Sequence, residues 1–208
     1  MMTIRTLCLG ELDTNCYVAW DANGMAVVID PADEAEKILS LIEQENLTVG
    51  AVVLTHAHFD HMLAAEKVLA DTGAPLYVGA GDEAALADPI RNLSSVFQMC
   101  PPLCMSADHT LREGDQIRVG ELSLSVMETP GHTPGCLCLL GNGVLFSGDT
   151  LFHDSIGRVD FPGGDIPAMV NSLQRLMKLP AETKVYSGHG PMTTIGREVE
   201  CNPYLQRI

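Results

Sequence analysis

A wholly apolar strand, Gly50 to Leu54, runs directly into Thr55-His56-Ala57-His58-Phe59-Asp60-His61, which places four metal-binding side chains within six residues. Neutral imidazole and carboxylate are the donors preferred by zinc and similar first-row ions. In an extended turn His56 and His58 are two apart and point to the same side, while Asp60 and His61 begin a new element aimed at a neighbouring point. Four donors crowd a single ion that must also keep an open position for chemistry, so the spacing suggests two ions side by side. The alternative is a solvated polar loop, which sits poorly between an apolar strand and an apolar helix.

Short apolar strands alternate with amphipathic helices along the whole chain. Ala26 to Ile29 leads into Asp30-Pro31, and Asp33 with Glu36 forms a capping-box-like start for a helix with Ile38, Leu41 and Ile42 on one face. Helical spacing is expected from His61 to Asp71, then a strand over Leu76 to Val78. Residues 81–107 read as irregular and apolar, with Phe97, Met99, Leu103 and Met105; a stretch of this length is a lid, a dimer contact or packing over the sheet. Strands follow over Asp115–Val119, Leu122–Glu128, Cys136–Leu140 and Val144–Phe146, the last two joined at Gly141-Asn142-Gly143. Asp165 is placed to cap a helix with Val170, Leu173, Leu176 and Met177 as its stripe. A last strand over Lys184–Ser187 precedes a short helix after Thr193.

One regularity organises these elements. Asp30, His56, His132, Asp149 and His189 each fall just past a strand, so they are expected to meet at one edge of packed sheets. No linker divides the chain, and residues 1–208 read as one domain.

Composition excludes several partners. Against 12 Lys+Arg stand 27 Asp+Glu, a formal charge of −15 that repels nucleic acid and anionic lipid. No apolar run approaches the ~18 residues of a membrane span, and the start lacks a secretory layout. The seven cysteines are scattered without a framework spacing, which predicts reduced thiols and a cytoplasmic home. Cys100 and Cys104 read as loop packing or as half a metal knuckle without its other half. Cys136 and Cys138 are expected to share one buried strand face.

Three further fragments join the first cluster: Thr129-Pro130-Gly131-His132-Thr133-Pro134-Gly135, Ser147-Gly148-Asp149-Thr150-Leu151-Phe152 and Ser187-Gly188-His189-Gly190-Pro191. In this order, over residues 14–203, they resemble the metallo-β-lactamase superfamily. The stretch from Ser155 through Arg158 to Gly164, with the tail from Gly188 to Gly196, is most similar to the short glyoxalase II-like (hydroxyacylglutathione hydrolase-like) hydrolases. The resemblance implies an αββα sandwich of two mixed sheets flanked by helices. It implies that His56, His58 and His132 hold a first metal, that Asp60, His61 and His189 hold a second, and that Asp149 and a hydroxide bridge them. The catalytic assignment thus falls on Asp60 and Asp149. Asp30 is implied to orient the metal loop, with Arg158 and Phe152 as substrate contacts.

The cofactors implied are two divalent ions, zinc first and iron or manganese as alternatives. A bridging hydroxide would cleave a thioester or ester; a thiolate leaves without much acid help, whereas an amide nitrogen would need a proton donor not evident in these fragments. Full-length glyoxalase II enzymes carry a C-terminal helical domain with cationic contacts to glutathione, and none follows here. A smaller thioester or an unrelated ester is therefore an alternative small-molecule substrate, and pairing into a homodimer through 81–107 is open. Arg158 is read either as a surface salt bridge, or as an anion contact or loop clamp. His109 and His153 match no ligand position. The same fragments also resemble a persulfide dioxygenase, in which His56, His132 and Asp149 would hold a single iron. RNA processing fits poorly with the charge, a β-lactamase role lacks an export signal, and a non-catalytic metal scaffold is the remaining alternative.

Overall fold

The computed structural model describes residues 2–208. Six strands form the first sheet in sequence order: β1 (Thr3–Leu9), β2 (Thr14–Trp20), β3 (Met25–Ile29), β4 (Thr48–Val53), β5 (Leu76–Gly79) and β6 (His109–Leu111). The first three pair antiparallel, and β3 to β6 run parallel. The second sheet contains β7 (Gln116–Val119), β8 (Leu122–Glu128), β9 (Leu137–Gly141) and β10 (Val144–Gly148). After a small hairpin of β11 (Leu151–Phe152) and β12 (Ser155–Ile156), it is completed by β13 (Lys184–Ser187) and β14 (Thr193–Thr194), in the order β14-β13-β10-β9-β8-β7. Here only β10 and β13 are parallel.

Alternation along the strands builds three apolar layers. Tyr17, Val27, Ile29 and Val53 face Leu124, Val126, Leu139 and Phe146 between the sheets. The opposite face of the first sheet, with Val18, Val28 and Val52, packs on α1 (Ala35–Gln44) and α2 (Ala65–Thr72) through Ile38, Ile42 and Val68. Cys138, Leu145 and Val185 of the second sheet pack on α5 (Ile166–Leu176) and α6 (Ile195–Cys201); between α2 and α5 lie the one-turn helices α3 (Glu83–Leu86) and α4 (Ser94–Phe97). The architecture is the expected αββα sandwich. Strand β4 is buried on both faces, which is why its sequence is a continuous apolar run.

Several local expectations hold and several need correction. Asn142 and Gly143 both have positive φ, the backbone that a two-residue hairpin needs. Asp165 caps α5 by accepting from the Ala168 amide at 2.8 Å. The stripe of α5 is set by Met169, Leu173 and Leu176, because Val170 sits to one side and is only half-buried. No capping box starts α1: Glu34 is the cap residue, in a left-handed conformation, and Asp33 accepts from the Glu34 amide. Residues 59–61 form a single tight turn and α2 begins only at Ala65, so His61 leaves the helical register expected for it. Residues 81–107 contain α3 and α4 rather than being wholly irregular; Leu103 and Met105 pack on the outer core, while Phe97 and Met99 stay exposed. Cys136 and Cys138 are both buried, though β9 begins at Leu137 and Cys136 lies just ahead of it. Among the described residues no helix is long and apolar enough to cross a membrane.

Candidate metal centre

The strand-end residues meet at one edge of the sandwich. His56, His58, Asp60 and His61 follow β4, His132 follows β8, Asp149 follows β10 and His189 follows β13. Three overlapping donor groups arise: His56, His58 and His132; His56, His61 and Asp149; and Asp60, His61 and His189, each with ligand atoms within 4.8 Å of one another. Asp149 spans the whole set. Its Oδ1 lies 3.4 Å from His61 Nε2, and its Oδ2 lies 3.6 Å from Nε2 of both His132 and His189. His58 Nδ1 and His132 Nε2 approach to 2.9 Å.

Outer contacts fix which nitrogen of each ring faces inward. His61 Nδ1 donates to Asp30 at 3.0 Å, His132 Nδ1 to the Arg158 carbonyl at 2.6 Å, and His189 Nδ1 to the Leu12 carbonyl at 3.1 Å. The Thr55 hydroxyl gives its only proton to Asp30, so its lone pair takes the Nδ1 proton of His56 at 3.1 Å. In all four rings the Nε2 lone pair is thereby turned toward the centre, the arrangement that metal-binding imidazoles need. Asp60 accepts from the Thr14 hydroxyl at 3.2 Å.

The donor set fits divalent cations. Among the described residues, the buried side-chain atoms without a hydrogen-bond partner are His56 Nε2, His58 Nε2, His61 Nε2 and Asp149 Oδ1. His61 Nε2 and Asp149 Oδ1 are near neighbours, yet their alignment is not that of a hydrogen bond. Leaving a buried polar atom unpaired costs about 1–3 kcal/mol, so His56 Nε2, His61 Nε2 and Asp149 Oδ1, which belong to one donor group, call for a shared partner. Burial and the adjacent His132 hold His58 down to about 3. Burial likewise pushes His56 well below its ordinary range, and His61 beside it adds to the effect. Burial works against charge on His61 too, but Asp60, Asp149 and Asp30 together raise it well above. Asp149 would be raised by burial, and the His61 ring instead pulls it well below the usual carboxylate range. His56, His58 and Asp149 are thus held toward the unprotonated forms that bind metal, whereas neighbouring carboxylates raise His61 and His189.

Close packing bars a side chain at Gly188 beside the donors. A Cβ at Gly188 would collide with Asp149 Oδ1 and His61 Cε1, so only glycine lets the His189 loop close over the centre.

Of the remaining expected residues, Asp30 is fully buried and binds the Thr55 amide, the Thr55 hydroxyl and His61. Phe152 is half-buried with its ring 6.0 Å from His189. The Arg158 fork grips Asp160 through two bonds of 2.7 Å and lies 3.9 Å over the Phe161 ring. Its side chain forms a salt bridge within its own loop, and its carbonyl accepts from His132 Nδ1. His153 pairs with Asp154 and His109 packs on Tyr77, both away from the donor set. No donor group among the described residues includes Cys100 or Cys104.

Asp82 is the residue that sequence reasoning missed. Its buried carboxylate accepts from the Ala57 amide at 3.0 Å, the Thr133 hydroxyl at 2.7 Å and the Gly135 amide at 2.7 Å. It pins the loop of His56 and His58 to the loop of His132. Burial raises its pKa despite those donors. A signal existed: Asp82 lies just past β5, where the strand-end rule would have placed a site residue.

A cavity of about 380 Å³ opens above the centre, walled by Phe59, Phe97, Phe152, Ile156 and Phe161 and floored by the donor side chains.

A profile of the metallo-beta-lactamase superfamily matches residues 9–189. The crystal structure of BLEG-1 B3 metallo-beta-lactamase is 40% identical, with TM-score 0.94 over 98% of this chain and 99% of that one. TTHA1623, solved in a di-iron-bound form, is 37% identical, with TM-score 0.88 over 97% of this chain and all of that one. Hydroxyacylglutathione hydrolase GloC of Haemophilus influenzae is 31% identical over 98% of both chains. With its sandwich and its strand-end donors, this chain belongs to the metallo-beta-lactamase superfamily.

Proposed function

We propose that this chain is a metal-dependent hydrolase that cleaves a thioester or ester through a centre of two divalent cations, zinc being the first choice. The observation that carries the reading is the cage of seven donor residues, in which His56 Nε2, His61 Nε2 and Asp149 Oδ1 are buried without a hydrogen-bond partner. His56, His58 and His132 would hold one ion and Asp60, His61 and His189 the other, with Asp149 reaching both. Two such cations supply an activated water and a Lewis acid for the carbonyl oxygen.

The chain's own residues do the rest. Asp30, Thr55, Leu12 and Arg158 hold the rings in the tautomer that presents Nε2. Asp82 keeps the two ligand loops in register, and the phenylalanine walls keep bulk water away from the reacting carbonyl. Hydrolysis forms a C–O bond from water and breaks the C–S or C–O bond of the substrate, releasing an acid and a thiol or alcohol. A thiol of pKa about 8.5 departs as thiolate without a positioned acid, which favours the thioester. Similarity to a hydroxyacylglutathione hydrolase supports the same class of substrate.

The test is metal content per chain after purification without chelator, joined to thioester and oxygen-uptake assays. About two equivalents of metal with thioester cleavage support the reading. A single iron with thiol-dependent oxygen consumption and no hydrolysis would replace it with a mononuclear persulfide dioxygenase using His56, His132 and Asp149.

A further inference from the structure

The sequence holds only five phenylalanines, and four of them, Phe59, Phe97, Phe152 and Phe161, line the cavity over the donor cluster; the fifth, Phe146, is in the core between the sheets. Their rings form a continuous run. Phe59 and Phe97 lie 5.9 Å apart, Phe97 and Phe161 lie 5.6 Å apart, and Phe161 sits 5.9 Å from the His58 ring. Phe152 closes the other side against His189. Leu12 lines the same cavity, and Met99 lines an adjoining one with Leu12 and Phe59; both are more than 40% exposed.

The charges around this cavity are equally selective. Arg158 is the one permanent cation in its wall, and its fork is occupied by Asp160 and its face by Phe161. Arg91, in the adjoining cavity beyond His58, is paired with Asp88 at 3.4 Å. Away from the ions, a carboxylate on a substrate arm would meet aromatic faces and engaged guanidinium groups, in a chain of formal charge −15. Desolvating it there without a partner is costly, whereas an apolar arm gains from each methylene buried.

We infer that the cleft selects a thioester or ester whose arm over the phenylalanines is uncharged and apolar, aryl or medium-chain alkyl, and disfavours anionic arms such as a peptide thiol with free carboxylates. This rests on the hydrolase reading above and adds its specificity. Phe97, at the mouth and 43% exposed, is the specificity residue that can be removed with least disturbance to the fold.

The experiment compares kcat/KM of the metal-loaded protein for acetyl, butyryl, hexanoyl, phenylacetyl and succinyl thioesters of one neutral thiol, N-acetylcysteamine. The expected result is a rise of roughly two- to fourfold per methylene, the upper figure being ~0.8 kcal/mol, with succinyl at least tenfold below butyryl. Phe97→Ala should flatten the rise and lower phenylacetyl turnover more than acetyl turnover. A flat series, or a preference for succinyl, overturns the inference while leaving the hydrolase intact. If no member is cleaved the hydrolase reading falls, and calorimetry with two thiols then decides the cleft. Tighter binding of 2-phenylethanethiol than of glutathione, weakened in Phe97→Ala, upholds it; equal or reversed affinities overturn it.

Discussion

Asp30 Oδ2 lies 3.0 Å from His61 Nδ1, and the same carboxylate receives both the amide and the hydroxyl of Thr55 at 2.7 Å. One buried side chain thus orients the ring of His61 and, through Thr55, that of His56. Asp30 itself has φ of +50°, a conformation that Asn tolerates well. Asp30→Asn should therefore fold normally while its amide opposes one of the three donors. Metal affinity should fall by about 10- to 100-fold, read by chelator competition on the purified variant. Unchanged affinity would show that ring orientation does not depend on this carboxylate.

Asp149 approaches His61, His132 and His189 together, and among the described residues no other carboxylate pairs with His132. Asp149→Ala should abolish turnover and lower metal content in the same preparation. Retained activity would contradict its shared position.

Asp82→Ala leaves the Ala57 amide, the Thr133 hydroxyl and the Gly135 amide without their acceptor in a buried place. A loss on the order of 3 kcal/mol is expected from those unpaired donors. In thermal unfolding this amounts to a fall in Tm of about 6–12 °C for a chain of this size. The variant should also bind metal more weakly, because His132 is no longer tied to the loop of His56 and His58. A drop in Tm with full metal affinity would assign Asp82 to packing alone.

Chelation should expose the cost of the unpaired donors directly. Prolonged treatment with a strong chelator is expected to lower Tm, and zinc added back should raise it in proportion to the logarithm of its free concentration. A Tm indifferent to zinc would sever the donor cluster from cation binding.

Much of the donor cluster was legible because strands are short and their ends are marked. His56 and Asp149 each follow an apolar run that reads as a buried strand, and His132 and His189 follow alternating ones, so their meeting at one edge follows from the sheet architecture. Asp82 obeys the same rule but sits in Gly79-Ala80-Gly81-Asp82, where small residues disguise the strand end. The cavity walls were harder to read. Phe97 and Phe161 come from segments without periodicity, and only the tertiary fold sets them 5.6 Å apart. The start of α1 misled because Asp33 spends its carboxylate on the neighbouring Glu34 amide. Arg158 was open between a surface salt bridge and an anion contact or loop clamp, and the sequence did not show that its fork meets Asp160, two residues on.

The donors are divided between the leaves of the sandwich, four following β4 of the first sheet and three following strands of the second. Asn15 and Tyr17 of β2 already stitch the leaves together at this edge by bonding to Ser187, next to the His189 loop. Cations held there would act as rivets across the seam, and their retention would report on how the leaves sit. Trimming Phe146, which fills the layer between the leaves, should loosen the grip on metal from inside the molecule.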